Sequence, residues 1–155
     1  MRNWTRVSAF LGLFAVLAAG GAAGVEFEWD LLPPLPEPIS GQAVGVHNGA
    51  LVVAGGSNFE VSPWQGGTKD WKDRIYVLPD GAGAWVDAGA LPGARAYAGA
   101  VSHPTGVYIF GGSNGDICYD NGLRLTWEGG KLGVEELDVR LPQPCAFTSA
   151  ALVND

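Results

Sequence analysis

One long segment occurs twice in this chain, and its two copies align without a gap. The copies begin at Trp29 and Trp85, 56 positions apart. The coincident residues are a tryptophan, a Leu-Pro pair, a histidine and a Gly-Gly-Ser-Asn run: Trp29/Trp85, Leu35/Leu91, Pro36/Pro92, His47/His103 and 55–58/111–114. A third copy begins at Leu141, and the sequence stops inside it at Asp155. The repeat therefore constrains the architecture before any single residue is considered.

Each copy predicts short strands, because runs of small, β-branched and aromatic residues are separated by Gly, Pro and Asn turns. The predicted strands cover 41–47, 50–56, 74–80 and 84–92 in the first copy, 96–103, 107–112, 122–127 and 134–142 in the second, and 146–153 in the third. A period of about 50 residues with this patterning is typical of kelch-type propeller blades. We therefore predict an all-β, kelch-type β-propeller fold with about two blades and partial flanking strands present.

The repeat also divides the chain. Residues 25–155 are predicted to form a partial propeller with a blade-closing strand at 25–36, a first blade at 37–92, a second at 93–142 and the start of a third at 143–155. The first and last segments of a propeller commonly share a blade, which leaves no free edge. We expect an isolated chain with this organisation to be an incomplete ring.

Residues 1–24 have the pattern of a secretory signal peptide. Arg2 and Arg6 precede an apolar stretch at 7–19, and small residues follow at 20–24. The apolar stretch is shorter than the ~20 residues that span a bilayer. This pattern predicts a secreted or periplasmic protein with no membrane association after cleavage. An uncleaved membrane anchor is the alternative interpretation.

The formal charge of the whole chain is −7, and loss of Arg2 and Arg6 would make it −9. An acidic surface repels phosphate backbones and therefore disfavours nucleic acid and anionic membranes as partners. Two cysteines, Cys118 and Cys145, remain in the mature chain. A secreted setting permits a disulfide between them, and two separate buried thiols are the alternative.

Antiparallel strand order places several polar and aromatic residues at one end of the predicted blades. The loops after the second strands and the links into the next copies share that end. We expect a substrate-binding face there, with four candidate residues: Asn58, Trp64, Arg95 and Asn114. Arg95 suits a carboxylate contact, although an arginine that pins neighbouring blades is equally consistent with its position. His47 and His103 fall at the opposite end and are interpreted as turn residues.

Other chemistry is not indicated by the sequence. It has no His/Cys/Asp spacing typical of a metal site, no phosphate-binding loop and no Ser-His-Asp set. We therefore predict no cofactor and no metal.

Three stretches resemble a known family. The first is "GGSNF…PWQGGTKDWKDRIYVL" (55–78), and the others are "LPGARAYAGAV" (91–101) and "TWEGGKL" (126–132). They are similar to the first two blades of the cyclically permuted mutarotases, a family that includes the N-acetylneuraminate epimerases. The resemblance implies a propeller of about six blades.

The resemblance also implies an activity. Family members interconvert sugar anomers, typically those of sialic acid, and their acid–base residues lie in later blades. No catalytic residue is therefore named in this chain, and a small sugar is the expected partner; the oligomeric state is left open. Two alternatives stay open beside a mutarotase: a non-enzymatic carbohydrate- or protein-binding propeller, and an inactive gene fragment.

Overall fold

Two antiparallel sheets make up most of the computed structural model, which describes residues 27–153. The first contains β1 (Ala43–His47), β2 (Ala50–Asn58), β3 (Asp70–Pro79) and β4 (Val86–Ala90). The second contains β5 (Gly99–His103), β6 (Gly106–Phe110), β7 (Asn121–Glu128) and β8 (Lys131–Arg140). Each sheet has its strands in sequence order, and residues 27–153 contain no α-helix. The all-β prediction is confirmed, whereas the number of blades in a closed ring stays a prediction.

The turn between β1 and β2 shows how the sequence specifies this pattern. Asn48 and Gly49 both have positive φ, of 48° and 70°. Two positive φ angles define the tight hairpin turn whose twist matches the flanking strands, and Asn-Gly is its preferred sequence. The pairing of His47 with Ala50 in the register of the hairpin follows directly.

The two sheets share one hydrophobic core. Its members come from both blades: Ala43, Ala50, Val52, Ala54, Ile75, Val77, Leu91, Val107, Ile109, Leu123, Leu125 and Trp127. Close approach of the blades depends on Gly45 of β1, where an added Cβ would lie 2.5 Å from a methyl group of Val107. The Val46 amide also donates to the Ser102 hydroxyl at 2.8 Å, which ties β1 to β5.

The repeated diglycine marks the place where the next repeat crosses the blade. An added Cβ at Gly55 would lie 2.1 Å from the Arg95 carbonyl oxygen, and one at Gly111 would lie 2.5 Å from that of Cys145. The amides of Gly56 and Gly112 donate to those same two oxygens, each at 2.8 Å. Only a residue without a side chain permits this approach, so the diglycine couples each blade to the following copy.

Strand bounds differ from the predicted ones where the backbone turns left-handed. β1 and β5 begin two or three residues later than predicted, because Gly41 and Tyr97 have φ of 66° and 61° and interrupt the extended chain. β3 begins earlier, at Asp70 instead of Arg74, because its first residues pair with the end of β2 beyond a bulge.

The predicted third-copy strand at 146–153 is not a strand in the structure. Its counterparts β1 and β5 each pair with the strand that follows them in the same copy. Residues 27–153 include no such partner for 146–153, and a strand requires a partner for its backbone bonds.

The start of the described chain has less structure. Residues 27–31 form a separate unit, and residues 27–36 carry no strand, so the blade-closing role of this segment stays a prediction. The predicted signal peptide at 1–24 lies outside the described residues. Within 27–153, no helix is long and apolar enough to cross a membrane.

Candidate functional site

The β2–β3 and β6–β7 loops and the β4–β5 link lie at one end of the sheets, which we call the loop face (59–69, 91–98 and 111–120). Backbone bonds join its parts: the Gly56 amide donates to the Arg95 oxygen at 2.8 Å, and Ala96 and Ser113 exchange amide–carbonyl bonds at 2.9 and 2.8 Å. All four predicted site residues lie on or beside this face. No side-chain hydrogen bond joins any two of them within residues 27–153.

Arg95 is buried in the junction between the blades, with 5% of its surface exposed. Its guanidinium donates to the Gly111 carbonyl at 3.1 Å and to Asn121 Oδ1 at 2.7 Å, and it stacks 4.0 Å from the centre of the Tyr119 ring. Its backbone amide meanwhile donates to the Lys72 oxygen of the first blade at 3.0 Å. Arg95 therefore pins neighbouring blades.

Burial lowers the pKa of Arg95, and the nearby Tyr119 and the charge of Glu136 offset this in part. The carboxylate role predicted for Arg95 stays a prediction. In this structure both terminal nitrogens of its guanidinium already donate to protein oxygens.

Asn58 and Asn114 occupy equivalent positions in the two copies but have different surroundings. Asn58 pairs with Asp70 at the end of the β2–β3 ladder. The Asn114 side chain accepts from the amides of Asp116 and Ile117 at 3.1 and 3.0 Å and donates to the Tyr119 hydroxyl at 3.2 Å. Asn114 therefore shapes its own loop, a common use of asparagine in turns.

Trp64 lies on a short 3₁₀ helix (Pro63–Gln65) in the β2–β3 loop, with 95% of its surface exposed. A cavity of about 500 Å³ opens within the same loop. Its lining residues are Glu60, Val61, Gly66, Gly67, Thr68, Lys69 and Asp70. Trp64 stands outside this lining, so its binding role stays a prediction.

The structure brings together a group that the sequence did not single out, here called the lysine–aromatic cluster (Phe59, Lys69, Trp71 and Tyr97). The Lys69 ammonium lies 5.4, 5.1 and 4.9 Å from the three ring centres, in that order. It donates to the Tyr97 hydroxyl at 2.7 Å, and the Ser57 hydroxyl lies 3.1 Å from the same oxygen. One cation thus sits among three aromatic rings.

The backbone of Tyr97 has a strained, left-handed conformation. Its φ of 61° is rare for a residue with a bulky side chain. Such strain costs about 1 to 3 kcal/mol and is found where the surrounding structure enforces it, frequently at functional sites. The equivalent residues of the other copies, Gly41 and Phe147, have φ of 66° and 58°. The left-handed backbone is therefore common to all three copies, whereas an aromatic side chain is present at this position in only two of them.

The three equivalent residues are in direct contact. The Tyr97 ring covers Gly41, where an added Cβ would lie 2.4 Å from ring atom Cε1. The same ring stacks on Phe147, with 4.3 Å between the ring centres. Phe147 is 79% exposed, so the stack presents an aromatic face to solvent.

The electrostatics of the cluster differ from those of the next lysine along the chain. The hydrogen bonds from Lys69 and Ser57 lower the pKa of Tyr97, against the effect of burial. Lys69 has no carboxylate within 4.0 Å among residues 27–153, whereas Lys72 contacts Asp70 at 2.6 Å and Glu37 at 2.9 Å. Those two acids raise the pKa of Lys72. Lys72 is thus paired with two carboxylates of the chain, which distinguishes it from Lys69.

The two repeat histidines at the opposite end have different roles. His103 is partly exposed and contacts Thr105 at 2.7 Å. His47 is 4% exposed, and its Nδ1 accepts the Trp127 amide of the second blade at 3.0 Å. His47 is therefore more than a turn residue, because it bonds the two blades.

Both cysteines are free thiols in the structure, with Cys118 exposed and Cys145 half-buried. The backbone still brings their surroundings together, because the Cys145 amide donates to the Tyr119 oxygen at 3.2 Å. Among residues 27–153 there is no group of three or more His, Cys, Asp or Glu side chains placed to hold a metal ion.

The two four-stranded antiparallel sheets and their repeated diglycine junctions define an all-β repeat protein, and they have the form expected of neighbouring blades in a kelch-type β-propeller. The solved structure of YjhT superposes on the chain with a TM-score of 0.63 at 25% identity, covering 73% of this chain and 36% of that one. No family model matches the sequence.

Curated relatives give the family. N-acetylneuraminate epimerase of Yersinia pestis (strain Pestoides F) is 30% identical over 141 residues, which covers 78% of this chain and 35% of the relative. That of Brucella suis (strain ATCC 23445 / NCTC 10510) is 33% identical over 120 residues, covering 67% and 30%. That of Vibrio cholerae serotype O1 (strain ATCC 39315 / El Tor Inaba N16961) is 30% identical over 130 residues, covering 72% and 33%.

The chain is homologous to the N-acetylneuraminate epimerases, and the family resemblance drawn from its sequence is confirmed. It spans about a third of the length of the curated relatives that it matches (35% of the Yersinia protein).

Proposed function

We propose that the protein containing this chain interconverts the anomers of N-acetylneuraminate or a related acidic sugar. The observation that carries the proposal is homology to proteins named N-acetylneuraminate epimerase over 78% of the chain. The loop face supports it, because a cation beside aromatic rings suits a ligand with both an acidic group and a sugar ring.

The reaction makes modest chemical demands. The anomeric hydroxyl loses a proton, the bond between the anomeric carbon and the ring oxygen breaks, and the ring oxygen gains a proton; reclosure on the other face of the carbonyl completes the exchange. The site must therefore bind the sugar and supply an acid and a base. We assign neither role to a residue of this chain, and the resemblance implies that both come from later blades.

We propose the compartment together with the activity. The signal-like sequence at 1–24 favours a secreted or periplasmic enzyme that meets free sugars outside the cytoplasm.

The direct test is anomer exchange followed by NMR. One anomer of N-acetylneuraminate is freshly dissolved, and its equilibration is recorded with and without the intact protein that contains this chain. The proposal expects equilibration faster than in buffer. No acceleration with any acidic sugar, together with measurable binding of a sugar, would replace it by a non-enzymatic carbohydrate-binding propeller.

A further inference from the structure

The lysine–aromatic cluster has the composition of a binding site for an anionic ring compound. Lys69 is half-buried and has no carboxylate within 4.0 Å in residues 27–153. Its ammonium contacts the Tyr97 hydroxyl and three aromatic rings, none of which carries a compensating negative charge. An anionic ligand would supply the missing partner.

The geometry around Lys69 leaves room for such a ligand. An ammonium has three N–H donors, and one of them points to the Tyr97 hydroxyl at 2.7 Å. The cavity in the β2–β3 loop is lined by Lys69, by the segment around Gly66 and Gly67, and by two acidic residues, Glu60 and Asp70. Asp70 is paired with Lys72 at 2.6 Å. Two N–H donors of Lys69 remain for a charge-assisted bond to a carboxylate.

Aromatic surface lies next to this cation. Phe59 is 37% exposed, and Phe147, stacked on Tyr97, is 79% exposed. A pyranose has an apolar C–H face that packs on such rings while its hydroxyls stay hydrated. Stacking on Phe147 and the contacts of its hydroxyl with Ser57 and Lys69 hold the Tyr97 ring in this position, which reduces the entropy lost when a ligand binds.

We propose that Lys69 is the carboxylate-binding residue of this protein, in a site where the Tyr97 hydroxyl assists and the surrounding rings hold the sugar. This inference rests on the proposed function for its ligand class, an acidic monosaccharide. It assigns the carboxylate to Lys69 instead of Arg95, because Arg95 is only 5% exposed and both terminal nitrogens of its guanidinium donate to protein oxygens in the blade junction.

The test compares two ligands and three variants of the intact protein that contains this chain. The ligands are N-acetylneuraminate and its methyl ester, which has the same ring without the charge. The variants are Lys69→Met, Lys69→Arg and the control Lys131→Met, which removes an exposed lysine beside the β7–β8 turn at the other end of the sheet. Binding is followed by NMR titration at the Trp71 indole N–H, and thermal unfolding shows that each variant is folded.

The wild-type protein and Lys131→Met should bind the acid about tenfold or more tightly than the ester, as expected for a hydrogen bond between charged groups. Lys69→Met should remove this preference, and Lys69→Arg should keep part of it. Equal binding of acid and ester by the wild type, no binding of the acid, or a Lys69→Met chain that still prefers the acid would each overturn the proposal.

These outcomes are distinguishable from failure of the proposed function. Lys69-dependent binding of the acid without any anomer exchange by the intact protein would reject the enzyme and retain the site. Anomer exchange that is unchanged by Lys69→Met at subsaturating sugar would retain the enzyme and reject the site.

Discussion

At the scale of single residues, one position with a left-handed backbone carries a different residue in each copy of the repeat. It holds Gly41 in the first copy, Tyr97 in the second and Phe147 in the third. A glycine there carries no strain, whereas an aromatic residue does. The aromatic residues therefore add contact surface at the loop face at an energetic cost.

The packing of Tyr97 on Gly41 can be measured with a matched pair of alanine variants. Gly41→Ala and Gly81→Ala both place a Cβ at a left-handed φ, of 66° and 69°. Gly81 has no atom within 4 Å of that Cβ, so its change should cost only the backbone strain of about 1 to 2 kcal/mol. Gly41→Ala should lose about 1 to 3 kcal/mol more, because its Cβ overlaps the Tyr97 ring.

Urea unfolding of the two variants gives the comparison. Equal losses of unfolding free energy would show that the Tyr97 ring moves aside freely, and they would contradict a fixed position for it.

Sequence reasoning predicted the loop face but not the lysine–aromatic cluster on it. The strand order placed Asn58, Trp64, Arg95 and Asn114 at one end of the blades, where the structure has them. It could not show that Lys69 meets Tyr97, because these residues come from different copies and their meeting depends on the left-handed turn at Tyr97. One signal was present: an aromatic residue stands in two copies where the other has glycine.

At the level of strands and turns, the repeat in the sequence predicted the strands. It did not predict the contacts between the two blades. The turn at Asn48-Gly49, which separates the predicted strands 41–47 and 50–56, is present with two positive φ angles. His47 illustrates the limit, because the two repeat histidines look equivalent in the sequence. Only the packing of β1 against the second sheet brings His47 to the Trp127 amide. An inter-blade bond of this kind has no local sequence pattern.

The paired histidines therefore give a prediction about the contact between the sheets. His47→Ala should lower the free energy of unfolding by about 1 to 3 kcal/mol, because it leaves the buried Trp127 amide without an acceptor. His103→Ala, at the equivalent position of the second copy, should change it by about 0.5 kcal/mol, as for most surface substitutions. Urea unfolding at neutral pH measures both, and equal effects would show that the inter-blade bond contributes nothing.

A further prediction concerns Glu37, which lies before β1 and bonds to two residues of β3. Its carboxylate accepts from the Tyr76 hydroxyl at 2.7 Å and contacts Lys72 at 2.9 Å. Burial raises the pKa of Glu37, but the bonds from Tyr76 and Lys72 outweigh it, so the net pKa is lowered from 4.5. Burial and the Glu37 bond raise the pKa of Tyr76 to about 12.

The two shifts have opposite pH signs. The stabilisation from Glu37 is present above pH 4.5 and is lost as the pH falls through its lowered folded-state pKa. That from Tyr76 is present below pH 10.0 and is lost as the pH rises towards about 12. Glu37→Gln should therefore be less stable than wild type at neutral pH, and the difference should shrink in acid.

Thermal unfolding across this range checks the prediction, with Glu128→Gln at the exposed end of β7 as the control. A gap between wild type and Glu37→Gln that stays constant down to acid pH would contradict the assignment.

For the molecule as a whole, the all-β fold followed from the repeat, and the family followed from the resemblance of residues 55–78, 91–101 and 126–132 to known members. The lysine–aromatic cluster could not be predicted from the sequence, because it depends on contacts between copies. The chain spans about a third of its curated relatives (35% of the Yersinia protein), so the proposed activity belongs to the intact protein. The sequence before the first repeat bears on where that protein works.

We predict that the precursor is cleaved after Gly24, which gives a mature chain that begins at Val25 with a formal charge of −9. Signal peptidase requires small residues just before the cut, and Ala22 and Gly24 supply them. Ala22→Phe should block processing, whereas the control Ala15→Leu, inside the apolar stretch, should leave it intact because that stretch stays apolar. Expression in a bacterial host, fractionation and intact-mass measurement would show the mature chain outside the cytoplasm. Recovery of the uncleaved chain from the membrane fraction would instead establish a membrane anchor.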